Sequence, residues 1–314
     1  MAFEVSRGDI GTTASRIAGR IRRTPAADLG DVLSSGYQLS LKLDSMQPTG
    51  SFKVRGAFSL LTASEVPAVG VVAASGGNFG LAVAYAANQL GHRSTVFVPE
   101  SSPREKIERI EQFQSEVRVI PGFYNQALEA SRVWALDRGA LEAHAFDQAE
   151  VVAGQGTCGR EISEQVTDVT SVLVAVGGGG LIGGVASWFR EDAVVVGVEP
   201  ELCPTLHAAR AAGGPVDVEV GGVAASALGA SRVGEHAWFA NRWIDDSVLV
   251  SDDEIMTAQR WLWETCRVSA EPGACAPIAA LLAGRYQPVP GERVVAIISG
   301  ANTAPPNTGG DGGR

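Results

Sequence analysis

The sequence predicts an α/β protein with two lobes, built on open, twisted sheets of mainly parallel strands that helices cover on both faces. Short runs of β-branched residues alternate with stretches of helical periodicity along the chain, as they do in proteins assembled from strand, helix and strand units. Several of the runs are apolar almost throughout, which is typical of strands buried on both faces. Parallel strands joined in this way require right-handed crossovers.

The predicted elements follow one another over most of the chain. The runs with strand character are Val71–Ala74, Ser94–Val98, Val117–Ile120, Val172–Val176, Val194–Val198, Val248–Val250 and Val294–Ile298. The stretches with helical character are Val54–Leu61, Gly80–Leu90, Arg104–Phe113, Asn125–Arg138, Gly154–Gln165, Leu181–Phe189 and Asp253–Arg267. With 314 residues, 45% of them hydrophobic and 19% charged, the chain can bury a large core, and its length indicates two lobes.

Charge and composition limit the partners. The formal net charge of −10 argues against nucleic acids and anionic membranes, because no cluster of Lys and Arg offsets it locally. The segment Met1–Pro25 lacks the continuous apolar core of a secretory signal, and no later stretch has the apolar length that spans a bilayer. We therefore expect a cytoplasmic protein that acts on small molecules, with its four widely spaced cysteines reduced.

Lys53 is the first candidate for catalysis. It follows a Pro-Thr-Gly-Ser turn and opens the predicted helix Val54–Leu61. Desolvation among apolar neighbours and the positive end of the helix dipole both disfavour the ammonium form of such a lysine. A neutral amine is the nucleophile that Schiff-base chemistry needs. The alternative interpretation is a solvated surface cation.

A first glycine-rich turn, Ser75–Gly80, lies between the strand Val71–Ala74 and an alanine-rich helix. Its small residues allow the backbone to approach a ligand closely. The free N–H groups at the start of the following helix suit an anion such as a carboxylate. A tight turn capped by Asn78 would explain the same sequence.

A second turn, Gly177–Gly180, separates an apolar strand from a helix. Four consecutive glycines are costly in chain entropy, so they predict a backbone nest for a phosphate group. Gly178, Gly180 and Gly183 also match GxGxxG, and Glu199 follows a later strand as a ribose-binding acid would. A Rossmann-type NAD-dependent dehydrogenase is therefore an alternative. The absence of a GxxxxGK[ST] pattern argues against a nucleoside triphosphatase.

A third turn, Ser299–Thr303, follows the last predicted strand. A simple β-turn would account for it. In an open sheet, however, the carboxyl ends of parallel strands share one rim, where ligands bind. We therefore expect Ser299, both glycine turns and Lys53 to meet at one crevice.

These segments together resemble the fold-type II pyridoxal-phosphate enzymes, and above all the serine/threonine dehydratase and serine racemase group. The matching segments, in the family's order, are Pro48–Lys53 with Arg55–Ala57, Ser75–Asn78, Ala153–Thr157, Gly177–Leu181, Glu271–Gly273 and Ser299–Asn302. They span most of the chain.

The resemblance implies the tryptophan-synthase-β-like architecture. A large cofactor-binding domain would comprise residues 1–66 and 146–302, and a small mobile domain would comprise residues 67–145. Residues 303–314, rich in Pro, Gly and Asn, would form a disordered tail. The resemblance also implies a homodimer.

The resemblance assigns roles to individual residues. Lys53 would carry pyridoxal 5'-phosphate as a Schiff base and remove the α-proton of the substrate. The other cofactor-binding residues would be Phe52 beside the ring, Asn78 at the phenolic oxygen, Gly177, Gly178, Gly179, Gly180 and Leu181 at the phosphate, and Ser299 at the pyridine nitrogen. The substrate carboxylate would lie on Ser75, Gly76, Gly77 and Asn78.

The implied reaction is the α,β-elimination of water from a serine- or threonine-like β-hydroxy-L-amino acid, which yields a 2-oxo acid and ammonia. A neutral hydroxyl at Ser299 cannot hold a proton on the pyridine nitrogen as a carboxylate would, which favours elimination over transamination. Racemisation and β-replacement are the alternatives within the family. Racemases carry a serine where this chain has Gly76, so we favour dehydration. The chain departs from the family's pattern at Phe79, where a histidine is usual, and at Ala274–Pro277. The sequence therefore does not identify the side chain of the substrate.

Glu199 has a second interpretation. In metal-activated relatives the glutamate after this strand helps to bind a cation together with an aspartate six residues later, and here that later residue is Thr205. Loss of one carboxylate weakens a site for a hard cation, although carbonyl groups and water can supply oxygen ligands. A divalent or monovalent cation at Glu199 and a surface carboxylate at a strand end are both consistent with the sequence.

Overall fold

The computed structural model describes residues 4–304. Its strands are β1 (Ala26–Asp28), β2 (Gln38–Lys42), β3 (Val71–Ala74), β4 (Ser94–Pro99), β5 (Glu116–Ile120), β6 (Leu141–Ala143), β7 (Ser171–Ala175), β8 (Val194–Pro200), β9 (Asp246–Val250) and β10 (Arg293–Ile297). Most of the predicted tail, residues 305–314, lies outside the described residues.

Helices alternate with these strands. They are α1 (Arg7–Ile17), α2 (Lys53–Ala63), α3 (Asn78–Leu90), α4 (Arg104–Glu111), α5 (Tyr124–Arg138), α6 (Ala149–Gln165), α7 (Gly180–Phe189), α8 (Thr205–Ala212), α9 (Ala225–Leu228), α10 (Glu235–Phe239), α11 (Asp252–Cys266) and α12 (Pro272–Leu282). Within residues 4–304, no helix combines the length and the apolar character needed to cross a membrane.

The larger sheet has the strand order β1-β2-β10-β7-β8-β9. β1 pairs with β2 in antiparallel orientation, and every other neighbouring pair is parallel. All five residues of β7 are buried, as expected of a central strand with helices on both faces. The predicted fold class, open parallel-type sheets covered by helices, is confirmed.

The smaller sheet has the order β5-β4-β3-β6, and all its pairs are parallel. Its four strands lie within residues 67–145, the span expected for the small domain. The domain boundaries themselves and the mobility of this part stay predictions.

Helix α6 positions the two helices that carry the candidate site. It packs against α2 on one side and α7 on the other through small residues. A Cβ atom on Gly154 would lie 2.7 Å from the carbonyl oxygen of Arg55, and one on Gly184 would lie 2.5 Å from the carbonyl oxygen of Val152. Since real Cβ atoms do not approach backbone so closely, only glycine permits this packing. The starts of α2 and α7 are thereby held in a fixed arrangement.

Candidate active site

A buried ionic network holds α2 in place. The guanidinium of Arg55 donates to both carboxylate oxygens of Asp44 at 2.7 and 2.6 Å, and to Glu161 at 2.7 and 2.9 Å. Thr157 accepts a further bond from it at 3.0 Å, and Lys42 donates to Glu161 at 2.5 Å. The side chains of Arg55, Asp44 and Lys42 are fully buried. This network fixes the helix that begins at Lys53.

Lys53 lies half-buried at the first position of α2. Its Nζ donates to the carbonyl oxygen of Ala145 at 2.9 Å and lies 5.0 Å from the centre of the Phe52 ring and 5.8 Å from that of Phe79. Burial lowers the pKa of Lys53 to about 8, although the carboxylate of Glu271 acts in the opposite direction. The amine is therefore neutral far more often near pH 7 than that of an exposed lysine. Lys53 is therefore partly buried and not an exposed surface cation, and its role in catalysis stays a prediction.

Gly177–Gly179 lie in the turn between β7 and α7, and Gly180 is the first residue of α7. The six consecutive backbone N–H groups from Gly177 to Ile182 donate no hydrogen bond to the backbone of residues 4–304. A Cβ atom on Gly177 would lie 2.9 Å from the Leu228 backbone, and one on Gly180 would lie 3.0 Å from the Phe146 backbone. Free donors at a helix N-terminus, on backbone that admits no side chain, suit a phosphate group.

The loop Ser75–Gly77 leads from β3 into α3 at the equivalent end of the smaller sheet. The Ser75 hydroxyl accepts a hydrogen bond from the Gly77 N–H at 3.2 Å. The N–H groups of Gly76 and Asn78 have no backbone partner among the described residues. The loop can therefore offer two backbone donors and a hydroxyl to a carboxylate.

Asn78 belongs to a polar network that the sequence did not reveal. Its Nδ2 donates to Glu271 Oε1 at 2.6 Å, and its Oδ1 accepts from Asn302 at 2.7 Å. Asn302 also donates to the carbonyl oxygen of Thr49 at 2.9 Å and accepts from Arg109 at 2.7 Å. Burial raises the pKa of Glu271, whose carboxyl group is also close to three cations. The network joins the two sheets around the loop that begins α3.

Ser299 lies two residues after the end of β10 and is buried, with 4% of its surface exposed. Its carbonyl oxygen accepts from the Phe52 N–H at 2.9 Å, which places it next to the residue that precedes Lys53. The hydroxyl groups of Thr49 and Ser51, in the same turn, are buried without a hydrogen-bond partner among the described residues. A hydroxyl that is buried without a hydrogen-bond partner lowers the free energy of unfolding by about 1–3 kcal/mol. Native proteins carry few such groups, and a bound ligand is one explanation for them.

Glu199 is completely buried, so the interpretation as a surface carboxylate is wrong. Its two carboxylate oxygens accept from the N–H groups of Leu206 and His207, at 2.7 and 2.8 Å. The hydroxyls of Thr205 and Ser247 donate to it at 3.2 and 2.8 Å. Burial raises the pKa of Glu199 despite these donors. The carboxyl group caps the N-terminus of α8.

No cluster of three or more His, Cys, Asp or Glu side chains arranged for a metal occurs within residues 4–304. The cation at Glu199 stays a prediction, with only the capping contacts visible around this carboxylate.

The rim of the larger sheet thus brings together a desolvated lysine, an anion cradle and a buried serine hydroxyl. The loop Ser75–Gly77 of the smaller sheet adjoins them, because Asn78 bonds Glu271 and Asn302, and the Glu271 N–H donates to Gly300, next to Ser299. This set of groups suits an enzyme that holds a phosphorylated cofactor at a helix N-terminus and attaches it to a lysine.

Comparisons with known proteins agree with this class. The model of the family described as "Pyridoxal-phosphate dependent enzyme" matches residues 17–300, so the chain belongs to that family. The chain is 35% identical over 294 residues to the L-threonine ammonia-lyase of Geobacter sulfurreducens, with 91% of this chain and 73% of that protein covered. It is 32% identical over 296 residues to the biosynthetic L-threonine dehydratase IlvA of Haemophilus influenzae, with 92% of this chain covered and 58% of that protein.

Solved structures agree as well. Maize serine racemase superposes with a TM-score of 0.91 at 26% identity, over 96% of this chain and 95% of its own. The threonine deaminase of T.th. superposes with a TM-score of 0.88 at 32% identity, over 95% of this chain and 99% of its own.

The cofactor is pyridoxal 5'-phosphate. The alternative of an NAD-dependent dehydrogenase is therefore wrong, although the glycines match GxGxxG. The structure gives the physical reason: the carboxylate of Glu199, which would bind a ribose, is buried and accepts hydrogen bonds from four protein donors.

The anion cradle formed by Gly177–Gly180 leads to a testable prediction for Gly179. This residue has a φ of 85°, and a Cβ atom on it would lie 2.5 Å from that of Ala237. We expect Gly179→Ala to weaken cofactor binding by at least about tenfold, because backbone strain of about 1–2 kcal/mol and the collision both displace the cradle. Fluorescence titration of the apoprotein with pyridoxal 5'-phosphate measures this.

Gly213→Ala is the matched control. Gly213 has a φ of 75°, but no atom lies within 4 Å of its Cβ position. It should lose about 1 kcal/mol of stability and bind the cofactor normally. Equal cofactor affinity in the two variants would contradict the placement of the phosphate at Gly177–Gly180.

Proposed function

We propose that this protein is a pyridoxal-phosphate-dependent ammonia-lyase. It would remove water from a serine- or threonine-like β-hydroxy-L-amino acid and release a 2-oxo acid and ammonia. The observation that carries this proposal is the convergence of Lys53, with its pKa of about 8, the six free N–H groups from Gly177 to Ile182, and the buried Ser299. The names of the relatives support the same reaction class.

The proposal gives each cofactor-binding residue a role. Gly177–Gly180 and Leu181 hold the cofactor phosphate through backbone N–H groups, and Phe52 packs beside the ring. Asn78 would bond the phenolic oxygen of the cofactor, and Ser299 would interact with its pyridine nitrogen. When bound, the cofactor supplies an electron sink for the α-carbon of the substrate.

Lys53 and the Ser75–Asn78 loop act on the substrate. The loop of Ser75, Gly76, Gly77 and Asn78 would bind the α-carboxylate through the Ser75 hydroxyl and the free N–H groups of Gly76 and Asn78, while the Gly77 N–H donates to Ser75. Lys53 would hold the cofactor and, as a neutral amine, would remove the α-proton of the substrate. The uncharged hydroxyl of Ser299 favours loss of the β-hydroxyl over transamination.

Racemisation is the second candidate, because serine racemase is among the structural neighbours. It needs an acid on the face of the α-carbon opposite Lys53. Gly76 supplies none, and the side chain of Ser102 fills the space that a Cβ atom on Gly76 would take. The lack of a side chain at Gly76 favours elimination over inversion of the α-carbon.

Release of 2-oxo acid tests the proposal. Holoenzyme incubated with L-serine or L-threonine should form a 2-oxo acid and ammonia in equal amounts, measured by hydrazone formation and an ammonia assay. The D-enantiomer should accumulate far more slowly. Formation of D-serine faster than pyruvate would favour the racemase, and no 2-oxo acid from any β-hydroxy amino acid would contradict the proposal.

The proposal also includes a homodimer, a cytoplasmic location and a cation at Glu199. The homodimer rests on the family resemblance, the cytoplasmic location on the sequence composition, and the cation at Glu199 on the position of that residue after β8. Sedimentation of the holoenzyme and activity after treatment with a chelator test the first and the last.

A further inference from the structure

Two distant segments of the chain pack against the anion cradle, and we call them its first and second walls. On one side, a Cβ atom on Gly178 would collide with the ring of Phe146. On the other side, a Cβ atom on Gly179 would lie 2.5 Å from that of Ala237. The first wall is residues 144–148, and the second wall is residues 233–239. Because both walls are in contact with the cradle, its shape depends on where each of them lies.

The first wall is held by hydrogen bonds within itself. Nδ1 of His144 accepts from the N–H groups of Phe146 and Asp147, at 3.4 and 3.0 Å. The side chain of Gln148 accepts from the His144 N–H at 2.8 Å. The carbonyl group that accepts from Lys53 belongs to the same wall. These bonds do not involve the second wall.

The second wall is tied to the first through one carboxylate. Oδ1 of Asp147 accepts from Nδ1 of His236 at 2.9 Å and from the His236 N–H at 3.0 Å. A Cβ atom on Gly234 would lie 2.8 Å from the same oxygen, so the carboxylate lies directly against the backbone of this wall. The Gly234 N–H in turn donates to the carbonyl oxygen of Gly178 at 3.0 Å. The two walls and the cradle therefore form a closed ring of contacts.

The bond between the two side chains is a charged one. The side chains of Asp147 and His236 are 25% and 13% exposed. Burial alone would raise the pKa of Asp147, but hydrogen bonds from the His236 side chain and from the N–H groups of His236 and Glu235 hold that pKa at about 2. The carboxylate is therefore ionised at neutral pH and can only accept, so Nδ1 of His236 carries the proton. Hydrogen bonds to an ionised group are stronger than those between neutral groups.

We infer that His236 is a positioning residue for the cofactor phosphate and acts through Asp147. Its ring bond holds the second wall, and with it Ala237, against Gly179 in the cradle. The inference rests on the proposed function in one respect only, the placement of the phosphate at Gly177–Gly180. It does not depend on which reaction the holoenzyme performs.

Titration of the apoprotein with two ligands tests the inference without turnover. The ligands are pyridoxal 5'-phosphate and pyridoxal, which lacks the phosphate, and the measured quantity is the ratio of their dissociation constants. His236→Leu removes the ring donor. We expect it to weaken binding of pyridoxal 5'-phosphate by about 3- to 10-fold, because the backbone bonds to Asp147 keep part of the tie. Binding of pyridoxal should not change, since Lys53 keeps its acceptor in the first wall.

Two further variants separate positioning from general damage to the fold. His236→Asn should restore the wild-type ratio, because an asparagine amide can place an N–H where Nδ1 of the ring lies. His92→Leu is the matched control and should also keep the wild-type ratio. His92 is partly buried like His236, but it lies between α3 and β4 in the smaller sheet.

The outcomes separate the inference from the proposed function. A wild-type ratio in His236→Leu would overturn the inference, and so would equal losses for the two ligands, which indicate damage that does not act through the phosphate. In both cases a lowered affinity of Gly179→Ala for pyridoxal 5'-phosphate would leave the phosphate placement standing. If the wild type binds pyridoxal as tightly as pyridoxal 5'-phosphate, the placement and the inference fail together.

Discussion

Replacing Lys53 with alanine should remove both the cofactor link and the activity. The purified variant should lack the near-visible absorbance of the holoenzyme, and 2-oxo acid release should fall by at least about a thousandfold, because the residue is both the point of attachment and the base. Its folding should survive. Burial disfavours the charged form of Lys53, as its pKa of about 8 indicates. Replacing this side chain therefore takes away an unfavourable contribution to the stability of the fold.

Absorbance spectra, a 2-oxo acid assay and thermal unfolding measure these three expectations. Lys106→Ala is the control for the spectrum, because Lys106 lies on α4 outside the cofactor contacts and should leave the absorbance intact. A Lys53→Ala protein that keeps the absorbance and turns over its substrate would contradict the role of Lys53 as cofactor attachment point and base.

Replacing Arg55 with methionine should be among the most destabilising single changes in the chain. It leaves the carboxylate of Asp44 fully buried without its main partner. Breaking a buried pair by removing one member costs about 3–5 kcal/mol. Burial alone would raise the pKa of Asp44, but Arg55 and Lys42 outweigh it and hold that pKa below its ordinary value. The contribution of the pair is therefore present at neutral pH and is lost as the pH falls below about 4.

Urea unfolding of the variant at pH 7 measures this loss. The double variant with Asp44→Asn and Arg55→Met should lose less free energy than the two single variants added together, because it leaves no unpaired charge. Arg104→Met, which breaks an exposed ion pair, should leave the unfolding midpoint unchanged. A midpoint for Arg55→Met close to that of the wild type would show that the network does not hold α2.

The parts of the site that the sequence predicted are local in the chain. Lys53, the loop at Ser75 and the glycines at 177–180 each lie where one strand ends or one helix begins, and such turns have recognisable sequences. The rule that parallel strands end at one rim then brings Ser299 to Lys53, and the structure agrees, since Ser299 bonds Phe52.

The parts that the sequence missed depend on distant contacts. The bonds from Asn78 to Glu271 and from Arg109 to Asn302 each join residues 193 positions apart. Arg109 lies among other charged residues of α4, with nothing in its neighbours to distinguish it. Helix α12 was missed because it is apolar on every side and contains Pro277, so it has no helical periodicity.

The start of α6 was also predicted incorrectly. The sequence placed it at Gly154, but the helix begins at Ala149. Glycines normally mark helix ends. Here Gly154 lies inside the helix because α2 approaches it too closely for a side chain, as the 2.7 Å from its Cβ position to the Arg55 carbonyl shows. Packing between helices overrode the local preference.

The central claim is that Lys53 carries the cofactor, and the small number of lysines makes this testable. The chain contains three, Lys42, Lys53 and Lys106. Reduction of the holoenzyme with borohydride, followed by digestion and mass spectrometry, locates the cofactor on one of them. We expect one cofactor per chain, all of it on the peptide that contains Lys53. Attachment at Lys42 or Lys106, or three unmodified lysines after reduction, would contradict the claim.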